Sequence, residues 1–191
     1  TETIERYVRE GKLVPDLVVP MSEHRTFKYF KEETLEKYAQ QYGWTLIDDS
    51  NRKDMFLDMI RQMDMSYSYK PVLLKAILLY ADERGRIKLE DIVSYFRYYY
   101  EGRCTTGLTV EKKNSIFAKG GYTDKEAERN ILSNPFKRFE DMQMLRHTKT
   151  LGIVQVDESV WKKLTREEKL EIEQVCDEKL EAYYQRLAEK F

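Results

Sequence analysis

Residues 3–44 read TIERYVREGKLVPDLVVPMSEHRTFKYFKEETLEKYAQQYGW, and this stretch sets the expected plan of the chain. Ile4, Tyr7 and Val8 recur at i, i+3 and i+4, so a helix is expected from Ile4 to Glu10, capped by Thr1 or Thr3. Gly11 stops it and Pro15 forbids its continuation. Leu17-Val18-Val19 and Phe27-Lys28-Tyr29-Phe30 are β-prone runs, and the polar connection Ser22-Glu23-His24-Arg25 between them predicts a hairpin. Leu35, Tyr38 and Ala39 then mark one face of a helix running from about Glu32 to Gly43.

The run Thr-Ile-x-Arg-Tyr-x-Arg-x-Gly-Lys-Leu, followed by a ribbon and a helix, resembles the MerR/excisionase type of winged helix-turn-helix. The resemblance covers roughly 45 residues. It implies that the opening helix is a recognition helix and the ribbon its wing, with Thr3, Arg6, Tyr7, Arg9 and Lys12 facing DNA from the helix and its end. Arg25 and Lys28 would face DNA from the wing. In that family a further helix comes before this one, where the present sequence starts. Because Thr1 is not an initiator methionine, the sequence is expected to be a piece of a longer chain.

Beyond this stretch, Asp48–Lys53 (DDSNRK) is polar and turn-like and is the best linker candidate. Ser50 or Asn51 would cap a helix carrying Met55, Phe56, Met59, Ile60 and Met63, methionines that serve a core or an adaptable groove. Ser66–Tyr69 breaks that helix and Pro71 suits the first turn of the next. Val72, Leu73, Leu74, Ile77, Leu78 and Ala81 make this the most apolar helix, so it is expected at the centre. After Gly85, Arg86-Ile87-Lys88 reads as a short strand, and Leu89–Tyr100 resumes helix with Ile92, Val93 and Phe96 inward.

Tyr95, Phe96, Tyr98, Tyr99 and Tyr100 surround Arg97 and cannot all point inward from one helix, so they form either packing or a base-stacking platform. A loop is expected over 102–109 and a short helix over 110–117. Thr123-Asp-Lys-Glu126 is a capping box opening a helix to about Leu132, and Asn134-Pro135 interrupts it. Met144–His147 and Ile153–Val156 read as a second hairpin around Thr148–Gly152. On a winged-helix plan Arg129, Lys137 and Arg138 lie on or near the last helix, and Arg146, His147 and Lys149 on the wing. The same plan also serves protein contacts. Thr165-Arg-Glu-Glu168 is a second capping box, opening a helix of about 25 residues. On it Ile172, Cys176, Leu180, Tyr183 and Leu187 form one stripe, either a homodimer seam or a face packed on the chain's own core.

The expected fold class is mainly α with small β-hairpins (α+β), winged-helix-like, with two helix-hairpin units and a long C-terminal helix. The expected divisions are 1–47, a linker and connecting helix over 48–66, a helical winged-helix-like domain over 67–163, and the terminal helix over 164–191.

Charge is uneven. Residues 67–163 carry 18 Lys/Arg against 13 Asp/Glu, whereas 164–191 carry 5 against 8, and the whole chain is −1. The middle segment therefore favours a polyanion modestly. No apolar run approaches the roughly 18 residues of a membrane span, and no signal peptide is visible, so a cytoplasmic location is expected. Cys104 and Cys176 read as reduced thiols.

No nucleotide-loop, nucleophile-elbow or zinc-protease pattern occurs, and only two histidines exist, so no cofactor or metal is expected and the chain is read as a non-enzyme. Glu111-Lys112-Lys113 has the E-x-K spacing of nucleases, but a nuclease carries it on adjoining strands. Ser68-Tyr-Lys-Pro-Val-Leu-Leu-Lys-Ala-Ile-Leu-Leu and Ser133-Asn-Pro-Phe-Lys-Arg-Phe-Glu resemble non-catalytic C-terminal regions of large bacterial DEAD/DEAH helicase- or restriction-type proteins. That resemblance implies an accessory module engaging duplex DNA for a motor or nuclease in its parent polypeptide. The alternative is a protein-interaction or oligomerisation module.

Overall fold

A hairpin and a helix pair cover one small hydrophobic centre near the start of the chain, and a larger helical core follows. The computed structural model describes residues 2–22 and 25–189, leaving out the side chains of Glu2, Thr3 and Arg25. The chain divides into two compact units, residues 1–48 and 49–191. It is a mainly helical α+β protein with two small antiparallel sheets and a long C-terminal helix.

In the first unit, α1 (Glu2–Arg9) leads into β1 (Leu17–Ser22) and β2 (Arg25–Tyr29), then α2 (Glu32–Tyr42). The strands pair antiparallel, Leu17 opposite Tyr29 and Val19 opposite Phe27, with a bulge between Pro20 and Ser22. Gly43 ends α2 in the left-handed region at φ +65°. The centre is small. Leu13 and Ala39 are buried, and Tyr7 stacks on Tyr42 at 5.3 Å and packs against Trp44 at 5.2 Å. Tyr42 donates its hydroxyl to the Lys12 carbonyl, tying α2 to the turn after α1. The Asp16 carboxylate accepts from the Lys31 amide and the Thr34 hydroxyl at the start of α2, and the first of these holds it below its ordinary pKa.

The second unit opens with α3 (Arg52–Arg61), whose Phe56, Leu57 and Ile60 are buried. That helix packs against α9 (Glu158–Trp161) and α10 (Arg166–Ala188), so residues 52–61 are part of this unit's core rather than a connector between domains. The reason is its apolar face, too large to leave in water. α4 (Tyr69–Tyr80) is buried on most of its circumference and lies centrally, with α5 (Leu89–Thr105) and α10 packed on it. After α6 (Ile116–Lys119) comes α7 (Asp124–Ile131), opened by the Thr123–Glu126 capping box. Asn134, extended at φ −165° and ψ 111°, breaks the helix within the kinked turn Leu132–Phe136, and α8 (Lys137–Asp141) follows.

The hairpin of β4 (Leu145–Thr148) and β5 (Ile153–Val156) does not stand alone. β3 (Arg86–Lys88) pairs with β5, giving a three-stranded sheet in the order β3-β5-β4. The stripe Ile172, Cys176, Leu180, Tyr183 and Leu187 is buried throughout within the chain. It is therefore not available as a seam between two copies, and a homodimer through α10 would have to use another face. Burial pushes the Cys176 thiol up to about 12, while Cys104 is exposed. Among the described residues no helix is long and apolar enough to cross a membrane.

Candidate nucleic-acid interface

The cations singled out in the sequence fall in both units, and those of the second unit do not converge on one surface. On α1, Arg6 reaches Glu10 one turn later at 3.9 Å, and Lys12 pairs with the same carboxylate at 2.7 Å. That hydrogen bond holds Glu10 below and Lys12 above its ordinary pKa. Both cations lie over the ring of Tyr7, 5.3 and 5.5 Å from its centroid. Tyr7 is thus the hub of the first unit's aromatic cluster, half-buried, and not a free contact residue. Arg9 and Lys28 are exposed and have no carboxylate partner among the described residues. The side chains of Thr3 and Arg25, and all of His24, lie outside the described residues.

In the second unit Lys137 is held by Glu140 at 3.2 Å and Asp141 at 2.5 Å, both on its own helix. Its positive charge is locally cancelled. Arg129, Arg138, Arg146 and Lys149 are exposed and carry no such partner among the described residues. Arg129 from α7 and Lys149 from the β4–β5 turn line one open cavity of about 610 Å³, with Lys125, Glu128, Phe136 and His147. His147 meets Phe136 edge to face, and its Nε2 is buried with no partner. Arg138 faces elsewhere, into a groove with Met55, Met59, Met142 and Lys70. Arg146 lies on the outer face of the sheet, opposite Gln155. Arg129 and Lys149 therefore share a surface, while Arg138 and Arg146 occupy two others.

Five aromatics in six residues of α5 resolve into packing. Phe96 and Tyr100 are buried, Tyr95 and Tyr99 are half-buried, and only Tyr98, at 77 % exposure, faces solvent. One exposed ring is no platform of successive stacking rings. Arg97 is drawn to Asp124 at 2.6 Å and to Glu101, and its pKa is raised by the first of these.

The E-x-K triplet is not on a strand. Glu111 lies between α5 and α6 and is 4 % exposed, and Asp82 is committed to the turn before β3 by bonds from Arg84 and Arg86. Among the described residues the most buried polar cluster, around Ser68 and Glu111, is not foreseen from the sequence. Glu111 accepts from the amide and hydroxyl of Ser68, from the Lys112 amide and from the Tyr183 hydroxyl. Ser68 also meets the hydroxyls of Tyr100 and Tyr184. Nothing in the residues around Glu111 advertises this, because Ser68 and Tyr183 are 43 and 72 residues away. Among the described residues no three His, Cys, Asp or Glu side chains converge as metal ligands. No family model, curated protein or solved structure matches the chain.

Proposed function

We propose that this chain is a non-catalytic DNA-binding accessory module of a larger bacterial nucleic-acid-processing protein of helicase or restriction type. It holds duplex DNA mainly by phosphate contacts. The observation that supports this best is the joint placement of Arg129 and Lys149, unpaired cations from a helix and the following hairpin turn that line one cavity. The element order α4, β3, α5, α7 and the β4–β5 hairpin, with β3 joined to β5, agrees with the winged-helix plan. In that plan the helix before the hairpin approaches the groove and the hairpin tracks the backbone. Two free thiols agree with a reducing cytoplasm.

Titration of a labelled duplex by fluorescence anisotropy tests the reading. Binding should weaken by at least about tenfold between roughly 50 and 200 mM salt, as counterion release requires. The double variant Arg129→Ala/Lys149→Ala should lose most of it, and Arg9→Ala/Lys28→Ala reports the contribution of the first unit. No binding at low salt, or binding indifferent to salt, overturns the reading.

A second reading, a protein-interaction module, is favoured by one specific observation. Leu17, Val18, Met21, Phe27 and Tyr29 of the β1–β2 hairpin are all exposed. A cluster of large apolar side chains on one hairpin is a common mark of a protein contact. Val18→Lys/Phe27→Lys separates the two: loss of a complex in light scattering with unchanged duplex affinity supports the interaction module.

A further inference from the structure

A cavity of about 590 Å³ opens between the start of α3, the turn from α8 into β4, and the corner where β5 meets α9. Its cations are Arg52 and Arg146. Arg52 is the first residue of α3, so the positive end of that helix lies at the same wall. Its side chain is only 15 % exposed, and its Nε has no hydrogen-bond acceptor. The nearest carboxylate, Asp49, is 86 % exposed and stands 3.8 Å from that nitrogen, too far to accept from it. Arg146 faces outward because Leu145 and Val156 point into the core, and cross-strand register sets Gln155 opposite it. Gln143 completes a lining in which two guanidinium groups and two amides can donate.

Three carboxylates also line this cavity, and each is held by a neighbouring group, Glu140 sharing its lysine with Asp141. Glu140 takes the Lys137 ammonium at 3.2 Å. Glu158 takes Lys162 at 2.6 Å, which holds its pKa below the ordinary value. Asp157 caps α9, accepting from the amides of Ser159 and Val160. Of the five charged groups on this lining, Arg146 alone has neither an ion-pair nor a capping partner among the described residues, and Arg52 keeps only the exposed Asp49, 3.8 Å from its Nε. Guanidinium forks match the oxygens of phosphate, and the volume admits a phosphate with the sugar that carries it.

We propose that this cavity is a phosphate-binding site built on Arg52 and Arg146, distinct from the Arg129–Lys149 groove. The phosphate belongs either to a free nucleotide or to a DNA backbone, and the two sources share the same recognition chemistry.

The test is amide NMR on the full chain, with inorganic phosphate, AMP and a short duplex added in turn at constant ionic strength against chloride. Phosphate should shift the amides of residues 143–146 and 155–158. Arg52→Ala and Arg146→Gln should each weaken that response by about tenfold or more. Thermal melting checks that the variants fold. Should Arg52→Ala unfold, Arg52→Lys and the exposed Arg146→Gln decide. Shifts with AMP but not duplex assign a nucleotide; duplex shifts that Arg52→Ala abolishes assign a backbone phosphate. Arg129→Ala/Lys149→Ala should leave the phosphate response intact, so failure of the duplex reading and failure of this site can be told apart. Shifts no larger than those in chloride, or a response untouched by both arginine variants, overturn the site.

Discussion

The Glu111 carboxylate holds Ser68 twice, taking its backbone amide at 2.8 Å and its hydroxyl at 2.5 Å across 43 residues of chain. The second oxygen of the same group takes the Lys112 amide and the Tyr183 hydroxyl of α10. One buried acid thus fastens the start of α4, the segment before α6 and the last helix.

Glu111→Ala strands these donors in the core and should cost about 3 kcal/mol or more. The isosteric Glu111→Gln should not restore stability. Each carboxylate oxygen accepts a backbone N–H, so either orientation of the amide turns its NH₂ group on a donor that cannot rotate away. Urea unfolding followed by circular dichroism checks both, and a Gln variant as stable as the parent contradicts the account.

Acid should loosen the second unit through a different carboxylate. Lys53 pairs with Glu168 at 2.5 Å, and together with the Thr165 amide it holds the Glu168 pKa below the ordinary carboxylate value. A depressed pKa means the pair contributes above the unfolded-state value, near 4.3, and is lost as pH falls through the lower folded one. The urea midpoint should therefore fall from about pH 5 downward. Lys53→Met should lower the midpoint at neutral pH, and the gap from the parent should close toward the acid end. A constant gap across the range would contradict the linkage.

Local signals were legible and distant pairings were not. The capping boxes at Thr123 and Thr165 form with both reciprocal bonds, because they involve residues three apart. The first hairpin, the central apolar helix and the terminal stripe follow from periodicity in the same way. The pairing of Arg86–Lys88 with Ile153–Val156 bridges more than 60 residues and leaves no local mark. α5 runs to Thr105, past Gly102, because an interior glycine costs only about 1 kcal/mol when the helix is already packed. The helix expected over 110–117 forms only over Ile116–Lys119, where Ser115 caps it by accepting from the Phe117 amide, and Glu111 lies outside it, bonded to Ser68. For the candidate interface, residue type located exposed cations but not their facing: Lys137 is neutralised on its own helix, and Arg138 and Arg146 point to separate surfaces.

Gly85 shows a backbone constraint joined to a packing one. Its φ is +74°, and a Cβ built there would come within 2.7 Å of Trp161 Cγ. Gly152 also has a positive φ, +60°, but open space around it. Gly152→Ala should cost about 1 kcal/mol, the left-handed penalty alone. Gly85→Ala should cost about 2–4 kcal/mol, because Trp161 must also shift. The Trp161 indole N–H, which donates to the Asp82 carbonyl at 3.0 Å, offers a direct NMR reporter. Its resonance should move in Gly85→Ala and hold in Gly152→Ala.

Tyr7 separates a structural from a DNA-contacting role within the first unit. Its ring stacks on Tyr42, packs against Trp44 and carries Arg6 and Lys12 above it. Aromatic pairs of this kind contribute about 0.5–1.5 kcal/mol each beyond their buried area. Tyr7→Ala should therefore collapse the dispersion of the Trp44 indole resonance. Tyr7→Phe keeps the ring and removes only the hydroxyl, so the fold should be retained. If the hydroxyl contacts a phosphate, Tyr7→Phe weakens duplex binding by several-fold with the Trp44 signal unchanged. If the ring serves packing alone, Tyr7→Phe binds as the parent does and only Tyr7→Ala loses affinity, in step with its loss of structure. The geometry favours the second outcome, because two aromatic neighbours and two cations already occupy the ring's surroundings.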